Sequence, residues 1–313
     1  MRIVFMGTPV FAAICLDFIL ESKHEVAAIV SVPDKPSGRG QKMAQSAVTQ
    51  LAIDKNMKLL QPEKLKNPEF IEELKSLNAD AFVVVAFRML PKEVWEIPPK
   101  GTFNLHASLL PQYRGAAPIN RAIMNGETET GVTTFLIDEK IDTGKILLQD
   151  AVKIFPEDNA GTLHDKLAEC GKKLIIETLD GLENNSLEPT TQSNPGSLKS
   201  APKIFKDDCM IDWNDDLEKI HNQVRGLNPY PAAWSYFKKN GEKRLVKIFK
   251  TKWEKSNESP AKTGSINFDN NQIKIHLKKG ILIIEDLQIE GKKRMSSIDF
   301  INGLQDKNGW SVT

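Results

Sequence analysis

Residues 101–119 read GTFNLHASLLPQYRGAAPI, and a later acidic stretch, residues 135–146, reads FLIDEKIDTGKI. Within the first, Thr102-Phe103-Asn104-Leu105-His106 alternates polar and apolar side chains as a strand does. Strand residues two apart share a face, so Asn104 and His106 project together and can reach one reacting atom. Ala107-Ser108-Leu109-Leu110-Pro111 leaves the strand as a turn. Arg114-Gly115-Ala116-Ala117-Pro118 then opens the next helix, its small residues allowing close backbone approach. A single histidine at a strand end is more often structural than catalytic. Here Asn104, His106, the turn, the small-residue segment and Asp142-Thr143-Gly144 occur together and in order, which favours a site over coincidence.

Upstream, the chain alternates strand and helix. Arg2 to Met6 reads as a strand, Gly7-Thr8-Pro9 as a turn and Val10 to Leu20 as a helix. Strands follow at Glu25 to Ser31 and Lys58 to Leu60, helices at Ser46 to Asp54 and Pro68 to Leu77. Asp80 to Ala86 contains an unbroken apolar run that suits a strand buried on both faces. This is the pattern of an α/β, Rossmann-like open parallel sheet, whose ligands bind beyond the carboxyl ends of the strands, where Asn104 and His106 fall. Val132 to Ile137 is expected to continue the sheet and bring Asp142 to the same rim, and a helix from Thr162 to about Leu182 to close the domain. Gly7-Thr8-Pro9 lacks the glycines of a dinucleotide fingerprint, which argues against a nicotinamide site. The basic, Gly- and Pro-bearing stretch from Pro33 to Lys42 leaves the same rim and suits a lid over a phosphate-rich substrate.

Residues 184–202 are polar and carry three prolines, the composition of a linker. Beyond them come a helix from Leu217 to Arg225 and short strand-like runs at Ser235 to Lys238, Arg244 to Lys250, Thr263 to Phe268, Gln272 to His276 and Ile281 to Gln288. Short strands separated by turns point to a smaller OB-like β-barrel. Charge is uneven: the chain is +1 overall, but residues 203–313 hold 20 Lys/Arg against 15 Asp/Glu, and residues 238–294 hold 15 against 7. A basic second half suits a polyanionic partner. Three scattered cysteines with no CxxC pair argue for a reducing compartment and against a zinc site. No secretory signal or membrane span is evident, so a soluble cytoplasmic protein is expected.

The chain resembles the methionyl-tRNA formyltransferase family. The resemblance runs from Gly7-Thr8-Pro9 and Gly38-Arg39-Gly40 through Asn104, His106 and Asp142-Thr143-Gly144 to Asn228-Pro229-Tyr230-Pro231 and Gly291-Lys292-Lys293-Arg294-Met295. It implies a Rossmann-like catalytic domain over residues 1–189, a linker over 190–206 and an OB-like tRNA-binding domain over 207–313. The implied reaction moves a formyl group from 10-formyltetrahydrofolate, without a metal, to the amino group of methionine on initiator tRNA, with the protein acting as a monomer. Asn104, His106 and Asp142 would be catalytic. Asn104 suits an oxyanion, and His106 could donate to that oxygen or shuttle the proton. Asp142 could orient the imidazole, make it a stronger base, or accept the amine's proton through water. Ser108, Leu109, Leu110 and Pro111 would lie against the folate, and Arg39, Lys42, Lys203 and Lys206 against tRNA. The chain departs from the family pattern in a shortened Phe87-Arg88-Met89 turn, in Lys140 where glycine is common, and in Ser200 where tyrosine is common. A formyltransferase acting on a sugar or purine precursor would need the three polar residues but not the basic barrel. A non-catalytic RNA-binding protein would need only the barrel.

Overall fold

The computed structural model describes residues 1–37, 42–193, 196–256 and 263–313. These divide into two units: Met1–Gly115 with Glu129–Lys153 and His164–Ser200, and Ala116–Thr128 with Ile154–Leu163 and Ala201–Thr313.

The first unit is built on a seven-stranded sheet. Its order is Ile146–Lys153, Glu129–Leu136, Thr102–His106, Ala81–Val85, Arg2–Gly7, Glu25–Val30, Leu59–Leu60. The last five run parallel. In chain order they step outward from Arg2–Gly7 to Leu59–Leu60, then resume on its other side, so the winding reverses between Arg2–Gly7 and Ala81–Val85. Such a reversal opens a crevice at the carboxyl ends of the strands. Ile3, Phe5, Phe82 and Val83 are fully buried, as the unbroken apolar runs require; each such phenylalanine contributes about 1.5–3 kcal/mol. The helix Val10–Leu20 begins after Gly7, where a Cβ would lie 2.7 Å from the Ala12 Cβ and 2.8 Å from Phe5, so only glycine permits the turn. Ser46 caps the helix Ala47–Asp54 through the Thr49 N–H, and Asn67 caps Pro68–Ser76 through the Glu69 N–H.

One expectation is corrected by the strand directions. Glu129–Leu136 runs antiparallel to Thr102–His106, with Leu136 opposite Phe103 and Thr133 opposite His106. Its carboxyl end therefore lies about 10 Å from His106 along the strand, not at the catalytic rim. Asp142 reaches the histidine only because the loop after Leu136 folds back over the sheet face. The edge strand Ile146–Lys153, absent from the sequence reading, pairs antiparallel outside it.

In the second unit six described strands close a ring through antiparallel pairs. These are Ala233–Lys239, Glu242–Lys255, Gly280–Ile289, Gln272–Leu277, Ser265–Asp269 and Trp310–Val312. Glu242–Lys255 shifts register on either side of Lys250, bulges that let one long strand bend between two partners. Val246, Ile248, Ile273, Ile275, Leu282 and Ile284 fill the interior, with Leu217, Ile220 and Val224 of the helix Leu217–Gly226 in the same cluster. This is an OB-like barrel. Its closing strand, Trp310–Val312, is too short to stand out from sequence alone.

Candidate active site

Alternation along Thr102–His106 puts Leu105 on one face and Asn104 and His106 on the other. The Leu105 face is covered by the helix Ala160–Asn184, which packs so closely that a Cβ on Gly171 would lie 2.7 Å from Leu105 Cδ2. The opposite face carries the polar pair. The Asn104 carboxamide is partly exposed and makes no hydrogen bond among the described residues.

His106 is only 7 % exposed, and both ring nitrogens have neighbours. Nε2 lies 2.8 Å from the Tyr113 carbonyl oxygen. A carbonyl can only accept, so Nε2 carries a proton and donates it. Nδ1 is then the nitrogen free to take up or release a proton, and it faces Asp142 Oδ2 at 3.8 Å. That carboxylate oxygen also accepts the Gly115 N–H at 2.9 Å.

Two backbone segments hold these partners in the left-handed region, Tyr113 at φ +60° and Asp142 at φ +55°. Non-glycine residues there cost on the order of 1 kcal/mol or more each, so surrounding contacts must hold them. The Tyr113 N–H donates to the Lys199 carbonyl at 2.6 Å. On the other side, Gln192 Nε2 donates to the carbonyl oxygens of Asp142 at 3.0 Å and Gly144 at 2.8 Å, while its Oε1 accepts from Arg114. Gly144 is tightly enclosed: a Cβ would fall 1.6 Å from the Leu136 carbonyl oxygen. Lys140 keeps a negative φ and donates its N–H to Asp138, so a side chain fits there and the positive φ of this loop lies at Asp142 instead.

The stretch that reads as a linker is therefore strapped to the first unit. Thr190 exchanges both backbone hydrogen bonds with Ile146, and Lys199 accepts the Tyr113 N–H through its carbonyl and donates its own N–H to Gln112 Oε1. Gln192 is the participant that sequence reasoning missed, since a glutamine in a polar, proline-rich stretch has no periodic pattern to mark it.

The turn after the strand is tied down from within. Ser108 is fully buried, its hydroxyl donating to the Gln112 carbonyl at 2.6 Å and its own carbonyl accepting from Thr133 Oγ1 at 2.6 Å. Leu110 gives its N–H to Thr133 Oγ1 and its carbonyl to Gln149 Nε2. The Ser108 side chain and these backbone groups are thus engaged, leaving the partly exposed Leu109 and Pro111 as the surface the turn presents. The shortened turn is anchored by Arg88, whose guanidinium donates to the Pro62 and Glu63 carbonyls, while Met89 is exposed.

Arg39 lies outside the described residues, as does the Lys42 side chain, although Lys42–Ala44 forms a short strand. Lys203 and Lys206 belong to the second unit, their ammonium groups 5.5 Å from the Phe205 ring centroid and 5.8 Å from that of Trp234. The His24, Asp180 and Glu183 cluster has metal-ligand atoms close together, but Lys23 bridges both of its carboxylates. No helix among the described residues is long and apolar enough to cross a membrane.

Residues 1–179 match the family model described as formyl transferase, and residues 203–305 match formyl transferase, C-terminal domain. A methionyl-tRNA formyltransferase of Flavobacterium johnsoniae is 49 % identical over 97 % of this chain and 96 % of its own. Among solved structures, WlaRD, a sugar 3N-formyl transferase, is 25 % identical, with TM-score 0.61 over 94 % of this chain and 99 % of its own. HypX from Aquifex aeolicus shares the fold at 19 % identity and TM-score 0.63 over 96 % of this chain, which spans only 47 % of HypX. By the two domain models and by near-full-length identity, the chain belongs to the formyl transferase family.

Proposed function

We propose that this protein transfers the formyl group of 10-formyltetrahydrofolate to the free α-amino group of methionine esterified to initiator tRNA. The observation that carries the proposal is the donor and acceptor pattern of three side chains. Asn104 presents a carboxamide that is unpaired among the described residues, His106 is left with Nδ1 as its exchangeable nitrogen, and Asp142 faces that nitrogen. The family membership and the full-length relative support the same reading.

An amine attacks only when neutral, and attack on the formyl carbon makes a tetrahedral centre whose oxygen gains negative charge. Asn104, on a stiff central strand, donates an amide N–H to that oxygen; removing one such donor costs about 10²–10³ in rate. The new bond joins the amine nitrogen to the formyl carbon, and the bond to N10 breaks. His106 Nδ1 takes the proton that the amine loses and returns it to the departing N10. Asp142, fixed on the Gly115 N–H, holds a negative charge beside the imidazolium while it lasts. The folate fits this arrangement because its formyl oxygen needs the donors that Asn104 leaves unused, and Leu109 and Pro111 offer an apolar wall.

In this proposal residues 1–189 carry the chemistry, 190–206 connect, and 207–313 hold tRNA. Arg39, Lys42, Lys203 and Lys206 are the residues proposed to meet the tRNA. In the same proposal the protein works as a monomer in the cytoplasm, the compartment that holds charged initiator tRNA. The test supplies 10-formyltetrahydrofolate with methionyl initiator tRNA in one arm and an amino-sugar nucleotide in the other. Formylation of the tRNA alone is expected, and formylation of the sugar alone would overturn the proposal.

A further inference from the structure

Gln192 makes four hydrogen bonds with one side chain. Its Oε1 accepts from Arg114 Nε at 3.2 Å and Nη2 at 2.6 Å, and its Nε2 donates to the Asp142 carbonyl at 3.0 Å and the Gly144 carbonyl at 2.8 Å. The chemistry leaves one orientation of the amide. A guanidinium only donates and carbonyls only accept, so Oε1 must face Arg114 and Nε2 the two carbonyls. Both amide protons and both oxygen lone pairs are then used. Glutamate has no proton to give the carbonyls, methionine has neither donor nor comparable acceptor, and asparagine is one methylene shorter.

The two carbonyls belong to the first and last residues of Asp142-Thr143-Gly144, in the loop whose left-handed residue carries the carboxylate facing His106. Arg114 immediately precedes Gly115, whose N–H holds the same carboxylate. Gln192 therefore ties the backbone of the carboxylate loop to the segment on which the carboxylate rests. We propose that Gln192 is a positioning residue for formyl transfer, acting through Asp142, although it comes from a stretch that reads as a linker. This rests on the role given to Asp142 above.

The test is Gln192→Glu, nearly the same shape but unable to donate, with Gln192→Met as a second variant that keeps chain length and loses the Arg114 acceptor as well. Each is assayed for formyl transfer and thermal midpoint, alone and combined with Asp142→Asn. Displacement of Asp142 lowers kcat by about 10- to 100-fold, as misplacements near 1 Å do. KM for tRNA changes less than about twofold. In the Asp142→Asn background the same change costs less than about twofold, because the group it positions is already impaired.

A folded Gln192 variant with wild-type kcat overturns the proposal. So does a loss that multiplies in full with that of Asp142→Asn, which makes Gln192 a stabilising residue independent of the carboxylate. Wild-type turnover by Asp142→Asn itself sinks the role given to Asp142, and this proposal with it, and so is distinguishable from failure of the Gln192 step alone.

Discussion

Gly144→Ala perturbs the site without touching a titratable group. The added Cβ would lie 1.6 Å from the Leu136 carbonyl oxygen and 2.8 Å from its carbonyl carbon. Carbon and oxygen ordinarily approach to about 3.3 Å, so the two backbones must part by about 1.7 Å. Leu136 is held by its pairing with Phe103, and its N–H donates to the Lys145 carbonyl. The loop that carries Asp142 therefore gives way. Overpacking of this kind costs about 1–3 kcal/mol of stability, and a shift of more than 1 Å in a positioned group costs about 10²-fold in rate. Single-turnover formyl transfer at saturating folate and tRNA reads the rate, and thermal unfolding reads the stability. A Gly144→Ala protein with both wild-type rate and wild-type thermal midpoint would refute the placement of this loop over the sheet face.

Other substitutions separate the contributions. His106→Ala and Asp142→Ala should each lower kcat by about 10²–10⁴-fold while leaving tRNA affinity largely unchanged, measured by filter binding beside the rate assay. Replacing Lys203 and Lys206 together by alanine should weaken tRNA binding and flatten its dependence on log salt by up to about 1.8, with maximal turnover unchanged; an unaltered salt slope would remove both lysines from the interface. Burial, then the neighbouring Arg225 guanidinium, pushes His221 down to about 4 from its ordinary 6.5. The folded chain thus keeps this ring neutral while the unfolded chain takes up a proton, so the associated stability is complete above about pH 6.5 and is lost as pH falls toward 4. Thermal midpoints measured from pH 7.5 to 4.5 should fall less in His221→Gln than in the parent, and parallel curves would refute the assignment.

Most of the first unit was legible because its signals are local. Val10–Leu20 is helical over the span its pattern implies, and the apolar run within Asp80 to Ala86 forms the buried strand Ala81–Val85. Asn104 and His106 share a face because strand periodicity alone puts them there. Strand direction was not legible: the apolar content of Glu129–Leu136 is the same whichever way it runs, so Asp142 was assigned to the right neighbourhood by the wrong route. Ile146–Lys153 escaped notice as a partly exposed edge, and Trp310–Val312 as three residues whose pairing depends on distant strands. Composition said least at residues 184–202, where polar, proline-rich character reads as a linker but does not reveal that its backbone and Gln192 satisfy groups in the site loops. Long-range hydrogen bonds of that kind leave no periodicity behind.

The most direct measurement is the yield of formylmethionyl-tRNA from methionyl initiator tRNA and 10-formyltetrahydrofolate, comparing the parent protein with Asn104→Ala at matched tRNA occupancy. The expected result is efficient formylation by the parent and about 10²–10³-fold slower transfer by the variant. Equal rates from the two proteins would contradict the assignment of Asn104, His106 and Asp142 to a common reacting atom.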